Sequence, residues 1–229
     1  ELLPECEAVV FDEAHLIPEI ASLFFGDSIS TNQVIDLVRD SRNEALVSAG
    51  DNKFLKKAID ELEFSVRELS QLPNLKNDRY SQSFFNTEKN FSNCFEQLKI
   101  NLVALVKLLD SQKERSDGLL NCHSRSDALL EKLLLWSEEN NISEFVSWLE
   151  VFANSLHFNR TPLNVSKLFK AHLETRSGAW IFTSATLSVG KNFSHYINQL
   201  GLDSAITKSW DSPYNYTDNA RLFLPHGLP

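Results

Sequence analysis

The 229-residue sequence has no apolar run close to the roughly 18 residues needed to cross a bilayer, and no basic-then-apolar leader. A cytosolic address is therefore expected. Cysteine is scarce: Cys6, Cys94 and Cys122 stand far apart, and no CxxC pair occurs. That excludes a zinc ribbon and a disulfide framework, and leaves buried or idle thiols in a reducing compartment. Positive charge is missing where a protein that coats nucleic acid would need it. The net charge is −9, and residues 1–29 hold seven acidic side chains and no Lys or Arg. An acidic start is a poor bed for a phosphate backbone, but it fits a carboxylate site that takes a metal ion. Repeats and low-complexity tracts are absent too. Asn-X-Ser/Thr triplets begin at Asn90, Asn141, Asn159, Asn164, Asn192 and Asn215. Without a leader they read as Asn-rich composition rather than glycan acceptors.

Strand signals are nearly absent from the middle of the chain. Between Thr31 and about Leu156, apolar residues recur at helical spacing. Val34, Leu37 and Val38 open a first helix, with Thr31 or Asn32 placed to cap it. Leu55, Ile59, Leu62, Val66 and Leu69 step by four and three, the seam of an amphipathic helix. Pro73 ends it before a polar loop over 74–83. Phe91, Phe95, Leu98, Leu102, Leu105 and Leu109 repeat that seam. A third stripe runs through Leu129, Leu130, Leu133, Leu134 and Trp136, and a fourth through Phe145, Trp148, Leu149 and Phe152. Four such stripes joined by polar links predict an all-α antiparallel bundle, with Trp136 and Trp148 as packing anchors.

Two β-prone runs stand outside this helical middle. Residues 8–11 read as a buried strand, followed by an acidic loop and a helical turn over 18–25. Residues 179–183 read as a second strand, entered through a turn at Gly178. Short helices are predicted over 165–173 and 193–200, and a strand start over 221–224. The strands deliver Asp12-Glu13-Ala14-His15 and Thr183-Ser184-Ala185-Thr186 at their ends, where α/β sheets collect their chemistry. Phosphoryl transfer to water needs a metal on the phosphate oxygens and a group that orients the attacking water. An adjacent Asp-Glu pair at the tip of a rigid strand supplies both: Asp12 for Mg²⁺, Glu13 for the water. His15 points back across the loop, where the hydroxyls of Ser184 and Thr186 offer it hydrogen-bond partners. Such a contact would tie the acidic loop to the neighbouring strand tip. A four-residue string alone is weak, since Asp and Glu also favour helix starts. The strand before it and the second cassette give it weight.

These cassettes resemble motifs II and III of superfamily 2 nucleic-acid helicases. A compact helicase core keeps the two motifs close, whereas here 168 residues separate His15 from Ser184. A helical domain spliced between neighbouring strands resembles the XPD-like iron–sulfur helicases, in which an Arch domain follows the DEAH motif. Leu3-Pro4-Glu5, the runs 16–22 and 161–166, Phe25-Gly26, Leu187-Ser188, Leu200-Gly201-Leu202 and Ser212-Pro213-Tyr214 are similar to the bacterial DinG/YoaA branch. The resemblance covers the whole chain, most strongly at its two ends. It implies an α/β RecA-like (P-loop helicase) motor domain over 1–29 and 159–216, an inserted helical Arch over 30–158, and the start of a second RecA-like domain over 217–229. It further implies an ATP-dependent 5′→3′ DNA helicase that works on single-stranded or forked DNA in repair and replication. A 4Fe–4S cluster and a bacterial, nucleoid-associated cytoplasmic setting come with that family. The family's phosphate loop, cluster cysteines and arginine finger do not occur in this sequence. The chain therefore reads as a fragment, inactive alone, with the cluster ligands elsewhere; Cys6 abuts the DEAH strand and is not expected to be one.

For DNA contact, Lys53, Lys56 and Lys57 beside Phe54, and Arg79-Tyr80 near Phe84-Phe85, combine cations with aromatic faces. The plainer reading puts the phenylalanines in the core and the lysines on a solvated helix end. The acidic balance also suits a protein partner. A helical interaction module docking a repair or replication protein is the competing expectation, and the large insertion disfavours an RNA helicase of the DEAH type.

Overall fold

The four apolar stripes of the sequence become three long helices and one strand. The computed structural model describes residues 6–72, 77–138, 144–175 and 177–223. Leu3-Pro4-Glu5, Pro73, the loop start at 74–76, Asn141 and Leu224 lie outside the described residues. In chain order the elements are β1 (Ala8–Phe11), a 3-10 turn (Ala14–Leu16), α1 (Ile17–Phe24), β2 (Asp27–Ser30), α2 (Thr31–Ser48) and α3 (Lys53–Ser70). Then come β3 (Arg79–Ser81), α4 (Gln82–Thr87), α5 (Lys89–Asp110), α6 (Asp117–Ser137), β4 (Phe145–Phe152) and β5 (Ser155–Pro162). The chain continues with α7 (Ser166–Glu174), β6 (Ala179–Phe182), α8 (Ser194–Leu200) and α9 (Tyr216–Asn219). Residues 221–223 form no strand.

Local chemistry sets where the long helices begin. Ser30 caps α2 rather than Thr31 or Asn32: its hydroxyl accepts from Gln33 N–H, and Gln33 Oε1 accepts from Ser30 N–H, a reciprocal capping box. Thr31 is buried instead, its hydroxyl accepting from Leu156 N–H. Asn52 caps α3 through Phe54 and Leu55 N–H, and Ser116 caps α6 through Leu119 N–H. The seams then close. Leu55, Ile59, Leu62, Val66 and Leu69 on α3 are each at most 1% exposed, and Leu98, Leu102, Leu105 and Leu109 on α5 match them. Pairwise packing of α2 on α3, α3 on α5, α5 on α6 and α6 on α2 makes a four-helix ring. On α6 the buried line runs through Leu119, Cys122, Ser126, Leu133 and Trp136, while Leu134 of the expected stripe faces solvent.

The all-helical expectation for the middle of the chain needs correction. Residues 145–152 are a strand, and β2-β5-β4-β3 form an antiparallel four-stranded sheet against one end of the bundle. FVSWLEVF is rich in β-branched and aromatic residues, and its apolar spacing at 145, 148, 149 and 152 also fits a helix. Tertiary pairing decides. Phe152 pairs with Ser155 across a two-residue link, and β5 then alternates Leu156, Phe158, Arg160 and Pro162 onto its buried face. Phe158 packs against Phe95 and Trp136, joining sheet to bundle. Trp136 is 3% exposed and donates its indole N–H to Trp148 O, while Trp148 donates to Thr161 Oγ1. Because β2 pairs with β5, the expected boundaries at 29/30 and 158/159 fall inside two strands that hold each other.

Candidate active site at two strand tips

β1 and β6 lie side by side and parallel, in register from Ala8 against Ala179 to Phe11 against Phe182. Both are short apolar runs whose alternate residues turn the same way. Phe11 and Phe182 stack and face a small core of Ala14, Ala21, Val165, Phe169, Tyr196 and Leu200. Gly178 permits the approach: at φ 149° it brings β6 so close to β1 that a Cβ there would meet Glu7 O at 2.8 Å. Ala179 N–H then donates to Glu7 O.

This pairing carries the two polar cassettes to adjoining tips, 171 residues apart in sequence. Thr183 N–H donates to Phe11 O, and Ala14 N–H donates back to Thr183 O at 2.9 Å. Asp12 Oδ1 accepts from Glu13 N–H and from Thr183 Oγ1, both at 3.0 Å. Glu13 adopts a left-handed backbone, φ 51° and ψ 40°, which is rare for a residue with a side chain. Its Oε2 lies 3.2 Å from His15 Nδ1 and accepts from Ser184 Oγ at 3.4 Å. His15 Nδ1 is also 3.0 Å from Ser184 Oγ. Among the described residues Thr186 reaches this group through Ser184, with the two hydroxyls 3.4 Å apart.

Asp12, Glu13, His15, Ser184 and Thr186 thus form one connected cluster. Two participants were not singled out from the sequence. Thr183 stands in the second cassette, but its bond to Asp12 becomes visible only with the β1–β6 pairing. Tyr196 donates its hydroxyl to Ala14 O at 2.8 Å from α8, with no local signal to mark it. Burial pushes its phenol up to about 12.

The donor set suits a hard divalent cation. Both contacts of Asp12 fall on Oδ1, leaving Oδ2 without a partner among the described residues. No group of three or more His, Cys, Asp or Glu is arranged around a metal position among those residues. Mg²⁺ needs no such cage, since it is held by one or two carboxylates together with phosphate oxygens and water. Of the cysteines, Cys6 is exposed, while burial raises the thiols of Cys94 and Cys122 above their ordinary value.

No family model matches the chain. Among curated proteins it is 34% identical to the ATP-dependent DNA helicase YoaA of Haemophilus influenzae over 230 residues, which is 100% of this chain and 36% of the relative. It is 31% identical over 242 residues to the ATP-dependent DNA helicase YoaA of Escherichia coli, again 100% of this chain and 36% of the relative. From end to end, the chain matches the YoaA helicases. The probable ATP-dependent helicase YpvA of Bacillus subtilis is 30% identical over 79 residues, 34% of this chain and 12% of that protein. The chain therefore spans about a third of the length of the YoaA relatives it matches.

The DNA-contact candidates separate into two places. Lys53, Lys56 and Lys57 sit at the start of α3, an 18-residue helix roughly 27 Å long, and Arg79 and Tyr80 open β3 after its far end. Lys53 and Lys56 are exposed with no ion pair among the described residues, whereas Lys57 meets Glu61 at 3.4 Å. Arg79 is engaged by Glu150 at 2.9 Å and lies over the Trp148 ring at 4.9 Å. Tyr80 is half-buried against Phe84 and Phe85. No helix among the described residues is long and apolar enough to cross a membrane.

Proposed function

We propose that this chain is the segment of an ATP-dependent DNA helicase that carries the hydrolysis loop and its coupling contact. The observation that supports this best is the meeting of Asp12-Glu13 with Thr183-Ser184 at neighbouring tips of two parallel strands. On this reading β1 and β6 belong to the first RecA-like motor domain, the bundle with its sheet is the inserted Arch, and 217–229 begin the second motor domain. Asp12 would hold Mg²⁺ through its free oxygen, and the ion would supply the charge neutralisation that a bound triphosphate needs. Glu13 orients the attacking water and takes its proton. His15 and Ser184 read the position of the Glu13 carboxylate, and Thr186 passes that state into the loop after β6. No phosphate-loop motif occurs in the sequence, so the chain by itself turns over no ATP.

The names of the YoaA relatives support DNA as the substrate. Translocation is 5′→3′ on single-stranded or forked DNA, with a 4Fe–4S cluster held by residues of the longer protein and a setting in the bacterial cytoplasm near the nucleoid. The test is Glu13→Gln in the full-length protein. It keeps ATP affinity and loses turnover by about 10²–10⁴-fold, the range for removing a general base; ordinary turnover refutes the assignment.

A second reading has one observation in its favour. Leu46, Val47 and Phe54 are 68%, 85% and 76% exposed around the α2–α3 turn, beside the three lysines. That surface fits docking of a repair or replication protein as well as a DNA strand. Replacing Lys53, Lys56 and Lys57 together with Ala separates the two readings. If this end grips a single strand, the slope of log affinity against log salt falls by about 2, near 0.7 per lost phosphate contact. An unchanged slope leaves the docking role.

A further inference from the structure

We infer that Tyr196 is a positioning residue for Glu13: its hydroxyl, reaching in from α8, holds the hydrolysis loop in the one backbone shape that keeps the Glu13 carboxylate beside His15 and Ser184. The inference rests on the reading of Glu13 as the hydrolytic carboxylate and adds a residue that no motif contains.

The argument begins with strain. A left-handed backbone is unfavourable for a residue bearing a Cβ by about 1–2 kcal/mol, and Glu has no side-chain chemistry that favours it. Such a conformation persists only where its surroundings over-determine it. Beside the turn's own bond from Leu16 N–H to Glu13 O, three hydrogen bonds do so here. Glu13 N–H donates to Asp12 Oδ1, Ala14 N–H donates to Thr183 O, and Tyr196 Oη donates to Ala14 O. The first is made within the loop and the second by the neighbouring strand tip. The third is different in kind, because it ties the loop to a helix 182 residues away.

The tether is well placed to be decisive. Ala14 is fully buried and Tyr196 is 7% exposed, so water does not compete for the bond. Burial keeps the phenol protonated, and therefore a donor, throughout the pH range in which an ATPase works. α8 is itself fixed. Gly201 ends it in the left-handed region, so close to Ser166 O that a Cβ would stand 2.6 Å away, and Leu200 is fully buried. The helix is thus a firm anchor, and Glu13 is the part it steadies.

Tyr196→Phe removes the hydroxyl and little else. The ring keeps its edge contact with Phe182, and Ala14 O still accepts from Ile17 N–H, so no buried carbonyl is orphaned. In the full-length protein at saturating single-stranded DNA, kcat for ATP falls about tenfold while KM for ATP stays within twofold and the melting temperature is unchanged. Displacement of a reacting group by a fraction of an ångström suffices for that loss. Added to Glu13→Gln, the same substitution causes no further loss, because both act through one carboxylate.

Three outcomes overturn the inference: kcat within twofold of the parent, a loss that follows a falling melting temperature, or losses that multiply in the double variant. If Glu13→Gln alone keeps turnover, the reading of the whole site fails and Tyr196 with it. If Glu13→Gln is dead and Tyr196→Phe is normal, the tether alone is wrong.

Discussion

In the bundle, Leu37, Leu55, Leu62, Leu102, Leu105, Leu109 and Leu119 are wholly withdrawn from solvent; at the strand tips, Asp12, Glu13, His15 and Thr186 lie open to it. The bundle carries a continuous buried core that runs into the sheet through Leu149, Leu156 and Phe158. The strand-tip region rests on a much smaller cluster, and the far face of its two strands leaves Val10 61% and Ile181 45% exposed. One region is held by apolar area that any side chain of suitable shape maintains. The other is held by a few directed hydrogen bonds between backbone tips, where identity matters atom by atom. On the proposed reading, stability and chemistry belong to different parts of the molecule, and substitutions in each should move different observables.

The largest effect on stability belongs to the bundle. Leu62→Ala empties a fully buried position on the seam between α3 and its neighbours and destabilises the fold by about 2–5 kcal/mol. Urea unfolding of the chain, followed by helix content, reads this directly. In the full-length protein, turnover per folded molecule stays at the parent value, because no bond at the strand tips passes through Leu62. A drop in kcat at temperatures where the variant is fully folded would break the separation of the two regions. The reverse experiment is Glu13→Gln, where turnover goes and the urea midpoint stays.

The same contrast explains which parts of the fold are legible in the sequence. β1 and β6 were legible because each is an apolar, β-prone run that stops at polar residues. The α3 and α5 seams were legible because steps of three and four on one face have no competing strand reading over that length. β4 is ambiguous in sequence because Phe145, Trp148, Leu149 and Phe152 satisfy a helical stripe as well as a strand, and the choice lies with β5, a partner remote from those residues' own pattern. β2 is a polar four-residue strand, DSIS, that offers no periodic signal at all. Ser30, rather than Thr31, caps α2 because Thr31 is drawn inward to Leu156, again a contact remote in sequence. Within the site, the motif residues were visible as strings, whereas Tyr196 became visible only once α8 was folded against the loop. Local chemistry is readable in proportion to how little it depends on remote pairing.

The smallest effect sharpens the comparison on the bundle's surface. Arg42 bridges Asp60 at 2.8 Å and Glu63 at 2.6 Å, and Arg67 holds the other oxygen of Glu63 at 2.6 Å. The Arg42 guanidinium, followed by that of Arg67, holds the Glu63 carboxyl below its ordinary value against an opposing push from burial. Because the folded form has the lower pKa, this contribution is complete above the unfolded-chain value, about 4.3, and disappears as the pH falls through the folded one. The bridge lies near the surface and is screened by salt, so its worth is about 1 kcal/mol or less. Glu63→Gln should therefore lie slightly below the parent in melting temperature from about pH 7 to 5. The gap should close on further acidification, and it should narrow at about 1 M salt, where the Debye length is near 3 Å. A gap that widened as the pH fell would mean that Glu63 is stabilised by something other than its two arginines. Hydrolysis by the full-length protein should be indifferent to the substitution across the same range, since the network has no contact with either strand tip.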